Sequence, residues 1–265
     1  MSARVSWAKV VALAERLSER DKEIIRLLAR VRVLTGTQLE RLAFHCYSTD
    51  NQSHIRRRVL KRLADLDLVA TLERRIGGVR AGSAGLVYAL GRVGQRMADM
   101  LNGATSNDRT RAPRTPGTLF LRHALAVSEA FTSMVEISRG SNVRVRSFLA
   151  EPHSWWPDGT GGLLRPDALV IVEDEQYEAT AWLEIDQGTE SLGRIRSKIA
   201  AYEAFALTGR EGANGVLPHV LFAASDETRA DAISREIAAQ GQLRMTYKTT
   251  TQLQLAPLVF QELRP

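Results

Sequence analysis

A single cysteine, Cys46, stands in 265 residues, so neither an internal disulfide nor a multi-cysteine zinc site can hold this fold, which suits a reducing compartment. No run of about 18 apolar residues offers a membrane span. Charges interrupt the opening MSARVSWAKVVALAERLSERDK too early for a secretory signal. The expectation is a cytoplasmic chain with no membrane partner. No repeat with a period of about 20–50 residues is visible, which sets aside solenoids and propellers. The glycine-rich tract GGVRAGSAG lacks the strand-to-helix context of a phosphate-binding loop.

What the chain has is an uneven charge. Residues 1–115 carry 22 Lys and Arg against 11 Asp and Glu, whereas the rest carry 14 against 19, so a net charge of +6 hides a basic half and an acidic one. A basic half suits a polyanion; an acidic half suits a carboxylate site or a solubilising surface.

The stretch NGATSNDRTRAPRTPG has no apolar periodicity and is rich in Gly, Pro, Ser, Thr and Asn. It divides the chain into residues 1–101, a linker at 102–117, and residues 118–265. In the first part Ser18 is a plausible N-cap for a helix carrying Ile24, Ile25, Leu27, Leu28 and Val31 at helical spacing. A second, short helix begins at a Thr cap in TQLERLAF. A third, SHIRRRVLKRLADLDLV, places Ile55, Val59, Leu63 and Leu66 on one stripe and His54, Arg57, Arg58, Lys61 and Arg62 on the other side. LVATLERR and AGLVYAL then read as a hairpin around a Gly77-Gly78 turn. Three helices and a hairpin predict a winged helix-turn-helix, closed by a fourth helix from about Arg92 to Leu101.

In such a domain the start of the later helix reads base edges in the major groove. Here those residues are Asn51, Gln52, Ser53, His54 and Arg57. Asn and Gln suit adenine and Arg suits guanine, while Arg58, Lys61 and Arg62 suit phosphates. Arg74, Arg75 and Arg80 flank the expected wing. Double-stranded DNA is the expected partner, with no cofactor needed for binding. A solvated basic face or a protein-interaction module would look alike at this level.

The second part alternates as helix, three strands, helix, strand, helix, strand, a mixed α/β layer arrangement. A tight turn at 174–176 joins the second and third of those strands. Asp167 heads one strand, and Glu184 and Asp186, two residues apart, share a face of the next. A hairpin brings them together. Carboxylates from converging elements suit Mg²⁺ or Mn²⁺, which can activate water and absorb charge on a phosphodiester. Lys198, about three turns into the following helix, can reach the same place. Trp155 and Trp156 lie in a Gly/Pro-rich loop ahead of Asp167, where they either cover a core or stack on an unpaired base.

Pro166-Asp167 followed by Glu184-Ile185-Asp186 resembles the PD-(D/E)xK nuclease core, and the α-β-β-β-α-β order agrees with that likeness. The whole chain, with PDALV, LEIDQGTES and RIRSKIAAYEAF joined to a winged helix, is similar to the replication-relaxation family of actinobacterial plasmids and other mobile elements. The resemblance implies a restriction-endonuclease-like second domain of the α+β or α/β class. It also implies Glu129 as a further acidic metal ligand, beside Asp167 and Glu184. One position departs: the nuclease pattern has a lysine where this chain has Asp186, and Lys198 is the available substitute, with Tyr202 retained one helical turn on. A degenerate domain would serve dimerisation or DNA contact. An active one would be a Mg- or Mn-dependent endonuclease or nickase using Asp167, Glu184, Asp186 and Lys198. The resemblance implies work in replication, transfer or transcription control at a mobile element, and two-fold operators suggest a homodimer.

Overall fold

The computed structural model describes residues 6–47, 49–72, 85–103 and 117–261. The fold mixes α and β, and the chain divides into two compact units, Met1–Thr132 and Ser133–Pro265. The division falls within a long helix, downstream of the linker expected at 102–117, most of which lies outside the described residues.

The first unit contains α1 (Trp7–Ala14), α2 (Glu19–Val31), β1 (Val33–Thr35), α3 (Gly36–Ala43), α4 (Thr49–Asp65), β2 (Val69–Leu72), β3 (Val87–Leu90), α5 (Arg92–Leu101) and the first part of α6 (Thr118–Arg139). Two of its helices start at capping boxes. Ser18 accepts from Asp21 N while the Asp21 side chain accepts from Ser18 N, and Thr35 and Gln38 repeat the exchange. Each box satisfies two backbone donors that a helix start otherwise leaves open. The strands form an antiparallel sheet in the order β1-β3-β2. Its apolar side packs with Leu121 and Ala124 of α6, whose Ser128 Oγ donates to Val33 O at 2.6 Å. The start of α5 runs so close to the turn before β2 that a Cβ on Gly94 would sit 1.9 Å from the Leu68 carbonyl oxygen. Only glycine fits that approach. Arg74, Arg75, Arg80 and the Gly77-Gly78 turn lie outside the described residues.

α4 departs from its expected stripe. Its inward residues are Arg56, Val59, Leu60 and Leu63, whereas Ile55 is half-buried and Leu66 is 37% exposed. Leu66 follows the last helical residue, so helical spacing no longer governs it. Arg56 is 2% exposed and pairs with Glu40 of α3 at 2.9 Å.

The second unit is built on five strands: β4 (Arg144–Ala150), β7 (Ala168–Glu173), β8 (Glu178–Ile185), β9 (His219–Ala224) and β10 (Tyr247–Thr251). Between β4 and β7 lies a small hairpin, β5 (Trp156–Pro157) with β6 (Leu163–Leu164), that sequence spacing does not predict. The sheet order is β10-β9-β8-β7-β4; β4, β7 and β8 form an antiparallel meander, and β8, β9 and β10 are parallel. The expected turn is present, with Asp174 Oδ1 accepting from Gln176 N and Tyr177 N. Parallel neighbours need crossover connections. Here these are α7 (Leu192–Leu207) and α8 (Glu227–Ala238), and α9 (Leu255–Gln261) follows β10. Side chains at alternate positions, Leu169, Trp182, Val220 and Phe222, meet Ile195, Ile199, Tyr202 and Phe205 of α7 and Ile233 of α8 in one core. Trp182 stacks on Tyr202 with ring centroids 5.4 Å apart. No helix among the described residues is long and apolar enough to cross a membrane.

Candidate functional site

On α4 the structure sorts a run of basic residues that sequence treats as equivalent. Arg57 and Arg58 are exposed and have no ion-pair partner among the described residues. His54 and Asn51 are exposed on the same helix, and Ser53 is half-buried. Lys61 pairs with Asp65 one turn on at 3.1 Å, with both side chains mostly in water. Such a pair is worth little and yields readily to another anion. Arg62 is different, since its guanidinium donates at 2.6 Å to Asp21, a buried carboxylate already engaged in the α2 capping box. Burial opposes the charge on Asp21, but Arg62 and Ser18 overcome it and hold the carboxyl below its usual range. Gln52, expected to read a base, donates Nε2 to Phe44 O at 2.9 Å and ties α4 to the turn after α3.

In the second unit, period-two alternation puts Glu184 on the Trp182 face of β8, beneath α7. Ser191 caps that helix by accepting from Arg194 N, and Lys198 therefore stands in its second turn, not its third. Four residues on, Tyr202 occupies the same helix face. Lys198 Nζ lies 2.8 Å from Glu184 Oε2 and 2.9 Å from Glu190 Oε2, while Tyr202 Oη donates to Glu184 Oε1 at 2.5 Å. Asp167 lies alongside, where its backbone N donates to Leu183 O and its Oδ2 accepts from Ile185 N at 2.7 Å.

The charges answer one another. Burial, and then the Asp167 charge, raise the Glu184 carboxyl to about 7 against the opposing pull of Lys198 and Tyr202. Burial disfavours the Lys198 ammonium, yet Glu184 and Asp167 outweigh it and raise its pKa. Burial and the Glu184 charge likewise raise Tyr202. An open cleft of about 290 Å³ leads to this cluster, with Arg165, Arg194, Ser197, Lys198 and Tyr202 in its wall and the buried Glu184 behind them. The Arg165 guanidinium lies 5.0 Å from the ring centre of Trp155, and Trp156 packs against the core.

A family model described as Replication-relaxation matches residues 25–220. The chain belongs to the replication-relaxation family. No curated protein and no solved structure gives a significant match. The replication-relaxation match takes in α4 and the whole Asp167 to Tyr202 cluster, and it ends within β9, before Arg229.

Arg229 decides what becomes of Asp186. Strand alternation would put Asp186 on the Glu184 side, but the strand ends at Ile185 and Asp186 turns to α8: Arg229 Nε donates to its Oδ2 at 2.6 Å and Gly188 N to its Oδ1 at 2.6 Å. Glu129 is engaged within the first unit, by Gln38 Nε2 at 2.8 Å and by Arg41. Among the described residues no group of three His, Cys, Asp or Glu side chains is placed to hold a metal ion. Both oxygens of Glu184 and both of Asp186 face protein donors. As arranged, these side chains do not fit the divalent ion that the nuclease likeness implies. Sequence reasoning passed over Glu190, Arg194 and Arg229. Arg194 lies four residues before Lys198, a helical spacing that could have revealed it, whereas the Arg229 contact is purely tertiary.

Proposed function

We propose that this member of the replication-relaxation family is a sequence-specific DNA-binding protein of a plasmid or other mobile element. On this reading α3 and α4 form a helix-turn-helix, β2 and β3 carry the wing, and α4 enters the major groove with Asn51, Ser53, His54 and Arg57 at base edges. Arg58 and Lys61 take phosphates. The observation that carries the reading is the pair Arg57 and Arg58, exposed and unpaired among the described residues on a helix whose opposite side is buried. The surplus of positive charge in residues 1–115 supports it. The second unit is a nuclease-like core that contacts DNA or a second copy of the chain without cutting. A homodimer would match a two-fold symmetric site.

The test is fluorescence anisotropy of labelled duplex fragments from the element that encodes the chain, titrated at several salt concentrations. Binding that weakens steeply with salt, and is lost in Arg57→Ala/Arg58→Ala, is the expected result. Salt-independent binding, or none to any duplex, would favour a protein-assembly role instead.

A further inference from the structure

The carboxylates of this site raise a question of charge. Asp167, Glu184, Asp186 and Glu190 gather near the ends of β7 and β8, and carboxylates brought together out of water need cations. In metal-dependent hydrolases a divalent ion supplies them. Here the protein supplies its own. Lys198 Nζ bridges Glu184 and Glu190 at 2.8 and 2.9 Å, and Arg229 engages Asp186 at 2.6 Å.

We propose that the Lys198 ammonium is the resident cation of this site, standing where the nuclease likeness implies a divalent ion, so that the native chain is charge-balanced there without metal. The geometry supports this at each donor. Mg²⁺ or Mn²⁺ would need carboxylate lone pairs converging on one point at about 2.0–2.2 Å, with room for several waters. Glu184 instead directs one oxygen to Lys198 and the other to Tyr202. Asp167 gives Oδ2 to Ile185 N, and Asp186 is drawn away to α8. An ammonium is a compact point charge with three donors on a flexible stem, well suited to bridging two carboxylates that belong to different segments. Lys198 can do so because Ser191 starts α7 where its second turn faces Glu184. Arg165 and Arg194 on the cleft wall add positive charge outside the bridge.

The proposal is independent of DNA binding by α4, because its readout is metal occupancy. The experiment measures Mn²⁺ binding to the full chain by loss of the free-ion electron paramagnetic resonance signal, with thermal unfolding in parallel. The native protein is expected to bind no Mn²⁺ through Glu184 at millimolar concentration. Lys198→Met frees Glu184 Oε2 and Glu190 Oε2 close to the charge of Asp167 and is expected to bind Mn²⁺ at least tenfold tighter, with a rise in its unfolding temperature on adding the ion. Lys198→Arg, which keeps the charge, should not gain this, and Glu184→Gln on top of Lys198→Met should remove it. Native protein that binds Mn²⁺, with the binding abolished by Glu184→Gln, overturns the proposal. So does a folded Lys198→Met that gains no affinity. Should Lys198→Met fail to fold, the native and Glu184→Gln proteins decide the matter by themselves.

Discussion

Consider two variants of α4 compared side by side with the native chain: Arg57→Ala/Arg58→Ala and Arg62→Ala. If Arg57 and Arg58 each neutralise one phosphate, removing both lowers the slope of log affinity against log salt by about 1.8, since each contact contributes about 0.9 on B-DNA. Over a fourfold rise in salt the native protein then loses about twelve-fold more affinity than the double variant. Both side chains are exposed and unpaired among the described residues, so stability should move by less than about 0.5 kcal/mol. Arg62 reverses the pattern. Its loss strands the Asp21 carboxylate, which is 1% exposed. A fully buried pair broken in this way costs about 3–5 kcal/mol, and because the Arg62 side chain is 47% exposed a fair figure is about 1–2 kcal/mol. Its salt slope should stay native. Anisotropy at four salt concentrations and urea unfolding of each variant measure both axes. Arg62→Ala that takes about 0.9 off the slope while remaining fully stable would refute this sorting of the arginines, and so would a double variant whose slope is unchanged.

Arg56→Ala should be the most damaging single change in α4, by about 3 kcal/mol in urea unfolding, because it opens a cavity and leaves Glu40 without its cation. Arg56→Met should recover part of that loss by refilling the space. The raised carboxyl of Glu184 makes a pH prediction: the folded state holds that proton more tightly than the unfolded chain, so its contribution to stability falls as pH rises from about 4.5 to about 7 and then levels. Glu184→Gln should flatten that stretch of the profile, and a profile that keeps its slope in the variant would place the titration elsewhere. Supercoiled plasmid incubated with the native protein and Mn²⁺ should stay intact, and nicking that disappears in Glu184→Gln would restore the endonuclease reading.

Local signals were the legible ones. Ser18 announces α2 because a capping box closes within four residues, whereas the cap of α3 is Thr35, two residues before the Thr37 that heads TQLERLAF, and its partner in the box is Gln38. Period-two alternation pairs Glu184 with Asp186, but β8 stops at Ile185, and which helix each carboxylate meets depends on how α7 and α8 cross, which is tertiary information. β1 is three residues long and pairs with a strand far along the chain, so neither length nor pattern marks it. Arg56 is the instructive miss. It lies four residues from Leu60 and seven from Leu63, a helical spacing that points inward, yet a charged residue is almost never buried unless paired. The pairing with Glu40 crosses from α3 to α4 and leaves no local trace.

The same distinction alters what the acidic half of the chain means. By count, the residues after 115 carry more negative charge than positive, and a cleft lined by such a segment would repel a phosphate. Position reverses the inference. Glu184 and Glu190 are bridged by Lys198, and Asp186 is paired with Arg229, so much of the negative charge at this end of the sheet is spent in internal pairs. Arg165 and Arg194 remain on the cleft wall. A formal surplus of carboxylates is thereby compatible with a cleft that accepts an anion, because the field at a surface follows the charges left uncompensated there. Lys198→Met would undo much of this in one step, leaving Glu184 and Glu190 without the cation that bridges them and setting their charge against Arg165 and Arg194 in the cleft.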